Sequence, residues 1–301
     1  MNLDDAMNAL KDSLINNAAP VQASSNYINA DNDLKNQFDE ALNNARKALA
    51  KSTGKDLDEN QVDGLKQAII DTKDALNGEE RLAKAKAKAQ EYVQTLSNLN
   101  NAQRKVAENS ITNSEDLNSL AESISKVTEL NKAMEDLHNA LISNATPVHA
   151  SVNYINADED LQNQFDQALQ QARNTLSKAT GKPASIEEVQ GLIQSIKDTK
   201  EALNGDQRLA KAKFKAEIFI NQLKDLNNAQ RVDSIKQAND TDNLKDLSQI
   251  VSTASDLNNS MSELKAKLKE TVNPVKSSIN YINADYDLKR QFNKADRKSV
   301  V

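Results

Sequence analysis

Apolar residues recur at intervals of three and four along nearly the whole chain, the spacing that keeps one stripe of side chains on one face of an α-helix. Leu3, Met7, Leu10 and Leu14 open the series and predict a first helix ending before Pro20. A second is expected after Asp31, whose residue type suits an N-cap worth about 1 kcal/mol; it carries Leu34, Phe38, Ala41, Ala45 and Ala48 up to the loop at Gly54. A third opens at Asp58, carries Val62, Leu65, Ile69, Thr72 and Leu76, and is expected to end at Asn77-Gly78, with the glycine in the left-handed conformation common after helices. A fourth carries Leu82, Ala85, Ala89, Val93 and Leu96, and a short fifth covers roughly residues 100–108. The sixth, from near Asn113, reads Leu117, Leu120, Ile124, Val127, Leu130, Met134, Leu137 and Leu141 with no Gly or Pro between them. It therefore predicts one helix of about 30 residues, roughly 45 Å long.

The same pattern then starts again. Tyr-Ile-Asn-Ala-Asp begins at Tyr27, Tyr154 and Tyr281, a spacing of 127 residues each time (154 − 27 and 281 − 154). Arg-Leu-Ala-Lys-Ala-Lys recurs at Arg81 and Arg208, and Leu-Asn-Asn-Ala-Gln-Arg at Leu99 and Leu226, in the same register. Ser185-Ile-Glu-Glu188 stands where Asp58 does and reads as a capping box. Since Leu130 to Leu141 are also the first helix of the second copy, the long helix should belong to two bundles at once. The fold class expected is all-α: tandem three-helix bundles joined by long shared helices into an elongated rod, with any bend near Asn77-Gly78 and Asn204-Gly205. Bundles are expected over 1–77, 78–127, 128–204 and 205–254, with a truncated one over 255–295. Residues 296–301 depart from the repeat and read as a foreign tail, so the chain is expected to be cut from a longer array, its third copy frayed after the first helix.

Composition agrees with many small cores rather than a single large one. Hydrophobic residues make up 38% of the 301 positions, aromatic ones 3%, and Trp is absent. The net charge of −6 is spread without a basic block, which argues against nucleic acid as a partner. With no cysteine, disulfides and thiolate chemistry are excluded. No stretch is long and apolar enough to span a membrane, so no membrane contact is expected within these residues.

Candidate chemistry is thin. His138 lies on a helix side and His149 in a loop after Pro147, and both are expected to be solvated side chains. Glu79-Glu80 and the Asp31/Asp33 pair sit where helix N-termini favour acids. Asp31 to Asp33 lacks the glycine and distal glutamate of a calcium loop. Arg81, Lys84, Lys86 and Lys88 are expected to spread over a solvated helix surface. No nucleophile with its base, phosphate loop or metal spacing is present, so no enzyme activity, cofactor or metal is expected. The residues singled out are the repeat signature: Tyr27, Asn29, Asp31 and Phe38; Tyr154, Asn156, Asp158 and Phe165; Tyr281, Asn283, Asp285 and Phe292. A structural role, with Tyr packed on the bundle and Asp capping the next helix, is favoured over ligand contact.

The Tyr-Ile-Asn-Ala-Asp string, Phe38 and the Asn-Gly after Leu76 resemble a FIVAR module. The region containing Leu99-Asn100-Asn101-Ala102-Gln103-Arg104 resembles a GA-type three-helix module. Their alternation up to Ala295 resembles the giant extracellular matrix-binding proteins of staphylococci. That resemblance implies a wall-associated bacterial surface adhesin, monomeric, binding host matrix proteins such as fibronectin through many weak contacts. Some GA modules bind albumin, but Arg104-Lys105-Val106-Ala107-Glu108 faces Arg231-Val232-Asp233-Ser234-Ile235 in the next copy, which argues against one albumin face kept in both. A passive stalk with no ligand of its own fits the same residues. A spectrin-like scaffold is disfavoured by the lack of Trp.

Overall fold

A computed structural model describes residues 2–54 and 56–299. Among them every regular element is a helix. The first copy holds α1 (Leu3–Gln22), α2 (Ser25–Ile28), α3 (Asn32–Ala48), α4 (Glu59–Asp74), α5 (Gly78–Thr95), α6 (Asn101–Asn113) and α7 (Leu117–His149). The second holds α8 (Val152–Ile155), α9 (Glu159–Leu176), α10 (Ile186–Glu201), α11 (Gly205–Gln222), α12 (Asn228–Asp240) and α13 (Leu244–Ser277). The third adds α14 (Ile279–Ile282) and α15 (Tyr286–Ser299). The chain divides into two compact units, one of residues 1–139 with 171–193, the other of residues 140–170 with 194–301.

In the first unit α1, α3 and α4 close around Leu10, Phe38, Leu42, Val62 and Ile69, all fully buried. A second core gathers Leu82 and Val93 from α5, Leu99 before α6, Ile111 from α6, and Leu120 and Val127 from α7. In the second unit α11, α12 and α13 enclose Leu209, Ile220, Leu226, Ala238, Leu247 and Ala254. Phe165, Leu169, Ala172, Val189 and Ile196 are buried at the positions of Phe38, Leu42, Ala45, Val62 and Ile69. Side chains of this size fill narrow three-helix cores, and each fully buried one contributes about 1.5–3 kcal/mol. α7 runs uninterrupted for 33 residues and α13 for 34.

Several expectations need correction. Helix one does not stop before its proline: α1 passes through Pro20, α7 through Pro147 and α13 through Pro274. Each proline falls in the last turns, where its missing N–H removes a single bond and the chain closes again immediately. After Pro20, the Ala23 amide donates to the Ala19 carbonyl at 3.1 Å and the Ser24 amide to Val21 at 2.9 Å. α6 extends beyond residue 108 to Asn113. The loop expected between the first two long helices contains the single-turn helix α2, capped by Ser24; Ser151 and Ser278 do the same for α8 and α14. The third copy, expected to fray after its first helix, carries α15, which runs through residue 296 and on to Ser299, with Lys276 Nζ 2.6 Å from Asp296. Residues 300 and 301 of the expected foreign tail lie outside the described residues.

Gly78 is not a left-handed helix stop, since no described residue has positive φ. It begins α5, and Gly205 begins α11. Both are glycine because backbone crosses there: an added Cβ at Gly78 would overlap the Asn26 carbonyl and lie 2.6 Å from the Ala30 amide nitrogen. Gly205 meets Asn153 and Ala157 in the same way. By contrast, a Cβ at Gly64, within α4, meets nothing within 4 Å. Gly78→Ala should therefore lose about 1–3 kcal/mol to overpacking, whereas Gly64→Ala should gain about 0.5–1 kcal/mol by restricting the unfolded chain. Urea unfolding of both variants checks the contrast; equal effects would reject the close approach.

Candidate functional site: the clamp built on the repeat signature

Helix N-termini leave backbone N–H groups without partners, and the signature residues supply them. Ser24 turns the chain into α2, its hydroxyl accepting from the Tyr27 amide at 3.2 Å. That single turn aims Asn26 and Asn29 at two other helices. Asn26 Oδ1 accepts from the Glu79 amide at 3.0 Å, in the first turn of α5, and its Nδ2 donates to the Leu76 carbonyl. Asn29, only 2% exposed, accepts from the Leu117 amide at 2.8 Å, the first residue of α7. Its Nδ2 donates to the Ser25 carbonyl at 3.0 Å and to Glu115 at 3.4 Å. The Arg81 guanidinium donates back to the Asn29 carbonyl.

The second copy repeats the arrangement. Asn153 serves Asp206 and Leu203, and Arg208 donates to the Asn156 carbonyl at 2.6 Å. Asn156 accepts from the Leu244 amide at 2.8 Å and donates to Val152 and Asp242. In the third copy Asn283 is exposed. The sequence reading missed Asn26 and Asn153, although each directly precedes the repeated tyrosine.

Asp31 occupies the N-cap position of α3 but makes no capping hydrogen bond, contrary to expectation. Arg81 and Asn77 hold it instead: Asp31 Oδ1 is 3.0 Å from Arg81 Nε, and Oδ2 accepts from Asn77 Nδ2 at 2.7 Å. Asp158 is bound likewise to Arg208 at 3.1 Å and Asn204 at 2.6 Å. The opposite charge and the asparagine amide pull the carboxylate away from its own helix. Asp285 stands at the start of α15, its carbonyl accepting from the Lys289 amide. Glu188 and Ser185 do form the expected capping box, as do Asp58 and Gln61.

Tyr27 lays its ring edge-on against the buried Phe38, centroids 6.0 Å apart, and its hydroxyl donates to Asp39 at 2.7 Å. Tyr154 pairs with Phe165 at the same separation and donates to Asp166 at 2.8 Å. Tyr281 meets Phe292 at 5.5 Å and donates to Asn293. The sequence pattern did not reveal Asp39 and Asp166. His149 is likewise neither in a loop nor merely solvated. It is the last residue of α7, its ring edge-on to Tyr154 at 4.6 Å, and Nε2 shares a 2.6 Å hydrogen bond with Asp166. Gln22 takes that place in the first copy, donating to Asp39 at 2.8 Å. His138, as expected, is exposed.

Burial, and then the hydrogen bond to the Asp166 carboxylate, push the Tyr154 hydroxyl up to about 12. A raised pKa means the folded state holds the proton more tightly. That contribution is complete below the unfolded value of about 10 and is lost as pH rises through about 12. Tyr154→Phe should therefore flatten the alkaline fall in melting temperature across this window; an unchanged slope would show that Tyr154 ionises without strain.

Comparison with known proteins finds two module types alternating along the chain. Residues 6–77, 133–204 and 260–296 match the FIVAR domain, and residues 79–133 and 206–260 match the GA module. The chain is 39% identical over 295 residues to the "Extracellular matrix-binding protein ebh" of Staphylococcus aureus strain MW2, covering 98% of this chain and 3% of that protein. Identity is also 39% to "Extracellular matrix-binding protein EbhA" of strain Newman, of which the chain spans 8%. A crystal structure of the 756–1003 domain of EbhA from Staphylococcus aureus superposes with a TM-score of 0.76 at 29% identity, covering 83% of this chain and 98% of that one. The chain belongs to the family of proteins built from tandem FIVAR domains and GA modules.

Proposed function

We propose that this chain is a repeat segment of a bacterial cell-surface adhesin, extracellular and wall-associated, whose modules contact host matrix weakly and gain avidity by number. The observation that carries the reading is the split between constant and variable positions. The signature residues are the same in both full copies and make internal contacts in each. The outward faces differ. Phe214 is 66% exposed on α11, where the first copy has Ala87, and Ile218 is exposed where it has Glu91. Val232 is 66% exposed where the first copy has Lys105. A constant scaffold carrying a changing surface suits many related, individually weak contacts. The relatives bearing the name "extracellular matrix-binding protein" support the same reading. Fibronectin is the first matrix ligand to test, and albumin the second.

The other reading, a stalk without a ligand, draws on the internal consumption of the signature residues. Retention on immobilised fibronectin, measured at physiological salt for chains of increasing repeat number, separates the two. Linked weak sites raise apparent affinity by about 10²- to 10⁴-fold, so the adhesin reading expects retention to climb steeply with added copies. Retention that stays flat and negligible for long arrays on both ligands would leave the stalk.

A further inference from the structure

The corner before α6 appears in this chain both docked and free. Asn100 is fully buried and Gln103 is 2% exposed, because the loop after α9 covers them. Asn100 Nδ2 donates to the Thr175 carbonyl at 3.0 Å and to Lys182 at 2.9 Å, using both amide hydrogens. Gln103 Nε2 donates to the Ala184 carbonyl at 3.1 Å, and the Asn101 amide to Lys178 at 2.9 Å. Lys178 Nζ reaches back to the Ser97 and Leu99 carbonyls. Burial and the nearby Arg104 charge lower the Lys178 pKa. The two surfaces sit so close that an added Cβ at Gly181 would lie 2.5 Å from Asn100 Nδ2.

The identical hexapeptide Leu226–Arg231 forms the same corner. Asn227 and Gln230 make the same reciprocal capping box, at 2.9 and 3.0 Å, as Asn100 and Gln103 do at 2.8 and 3.1 Å. Yet Asn227 and Gln230 are only half-buried. The corner is thus formed before it docks, and little ordering remains to oppose docking.

The loop that covers the corner has a counterpart in the first module. A hollow of about 520 Å³ opens on the first module, lined by Asn44, Lys47, Ala48, Thr53, Leu57 and Gln61 among others. The 127-residue period places Ala48 at Thr175, Lys51 at Lys178, Gly54 at Gly181 and Leu57 at Ala184. Thr175 and Ala184 accept through backbone carbonyls, so these hydrogen bonds do not depend on the side chains that change there. The lysine and the glycine are retained.

We propose that this hollow is a docking site for the Leu-Asn-Asn-Ala-Gln-Arg corner of a GA-type module placed ahead of it, so that the joint closed by residues 97–104 and 175–184 recurs through an array of these repeats. The discriminating substitution is Asn100→Asp. Aspartate still caps α6, since its oxygen accepts from Gln103, but it sets a carboxylate against two carbonyls and has no hydrogens to donate. In the chain as it stands, Asn100→Asp should speed hydrogen exchange across 175–184 by about tenfold while α6 keeps its protection. Asn227→Asp should change neither.

The decisive experiment repeats residues 78–127 directly ahead of Met1, which the period aligns with Thr128. The hollow should then be filled, and exchange across 48–57 should slow by about tenfold relative to the present chain. Asn100→Asp in the added module should reverse that protection. Unchanged exchange across 48–57, with the added helices folded, would overturn the assignment. An added module that failed to fold beside a native first module would count against it too, since the same residues fold at 78–127 with the joint closed.

Discussion

A helix that begins inside a protein must find partners for its first N–H groups, and in this chain a buried asparagine from a distant turn provides them. Asn29 reaches the start of α7 and Asn156 the start of α13, each accepting from the first helical amide at 2.8 Å. The partners are 88 residues apart in sequence. The asparagine can reach because Ser24 and Ser151 wind the preceding residues into single-turn helices. Leaving such a buried side chain or amide unpaired costs about 1–3 kcal/mol. The position of each long helix is thus fixed by the bundle that precedes it in sequence, and the cores of α5 to α7 and of α11 to α13 are assembled against that reference.

The other contacts of the signature follow from the same turn. Asn26 and Asn153 hold the starts of α5 and α11, which forces the backbones together and leaves room only for glycine at positions 78 and 205. Arg81 and Arg208 close the clamp by bonding at once to the asparagine carbonyl and to the aspartate of the string. Tyr27 and Tyr154 anchor the far end of the turn on a buried phenylalanine and a carboxylate. The signature's polar groups are engaged within the clamp, while the outward residues that differ between copies include the exposed Phe214, Ile218 and Val232.

Periodicity made the helices legible. The spacing of Leu117 to Leu141 was enough to foresee one long uninterrupted helix, because burial on one face leaves a trace every three or four residues. Phe38 and Phe165 were foreseeable as core plugs, being almost the only large aromatic residues on their stripes. What could not be read depends on which distant residues meet. Asp31 has the residue type of a cap, but Arg81 and Asn77 compete for it, 50 and 46 residues away in sequence. Gly78 looks like a helix stop until the backbone of Asn26 is placed against it. His149 looked solvated because Tyr154 and Asp166 come near it only when the chain turns back through α8. The prolines misled for a local reason: near the end of a helix a proline removes too little to stop it.

The most direct test of this account is the hydrogen-exchange rate of the Leu117 amide, with Leu244 as internal reference, in the chain carrying Asn29→Ala. First-turn amides ordinarily lack an intrahelical partner and exchange freely. If the asparagine holds the helix start, Leu117 is protected in the parent chain and exposed in the variant, while Leu244 stays protected by Asn156. A Leu117 amide that exchanges at the same rate in both chains would contradict the clamp, and the order of the long helices would then need another cause.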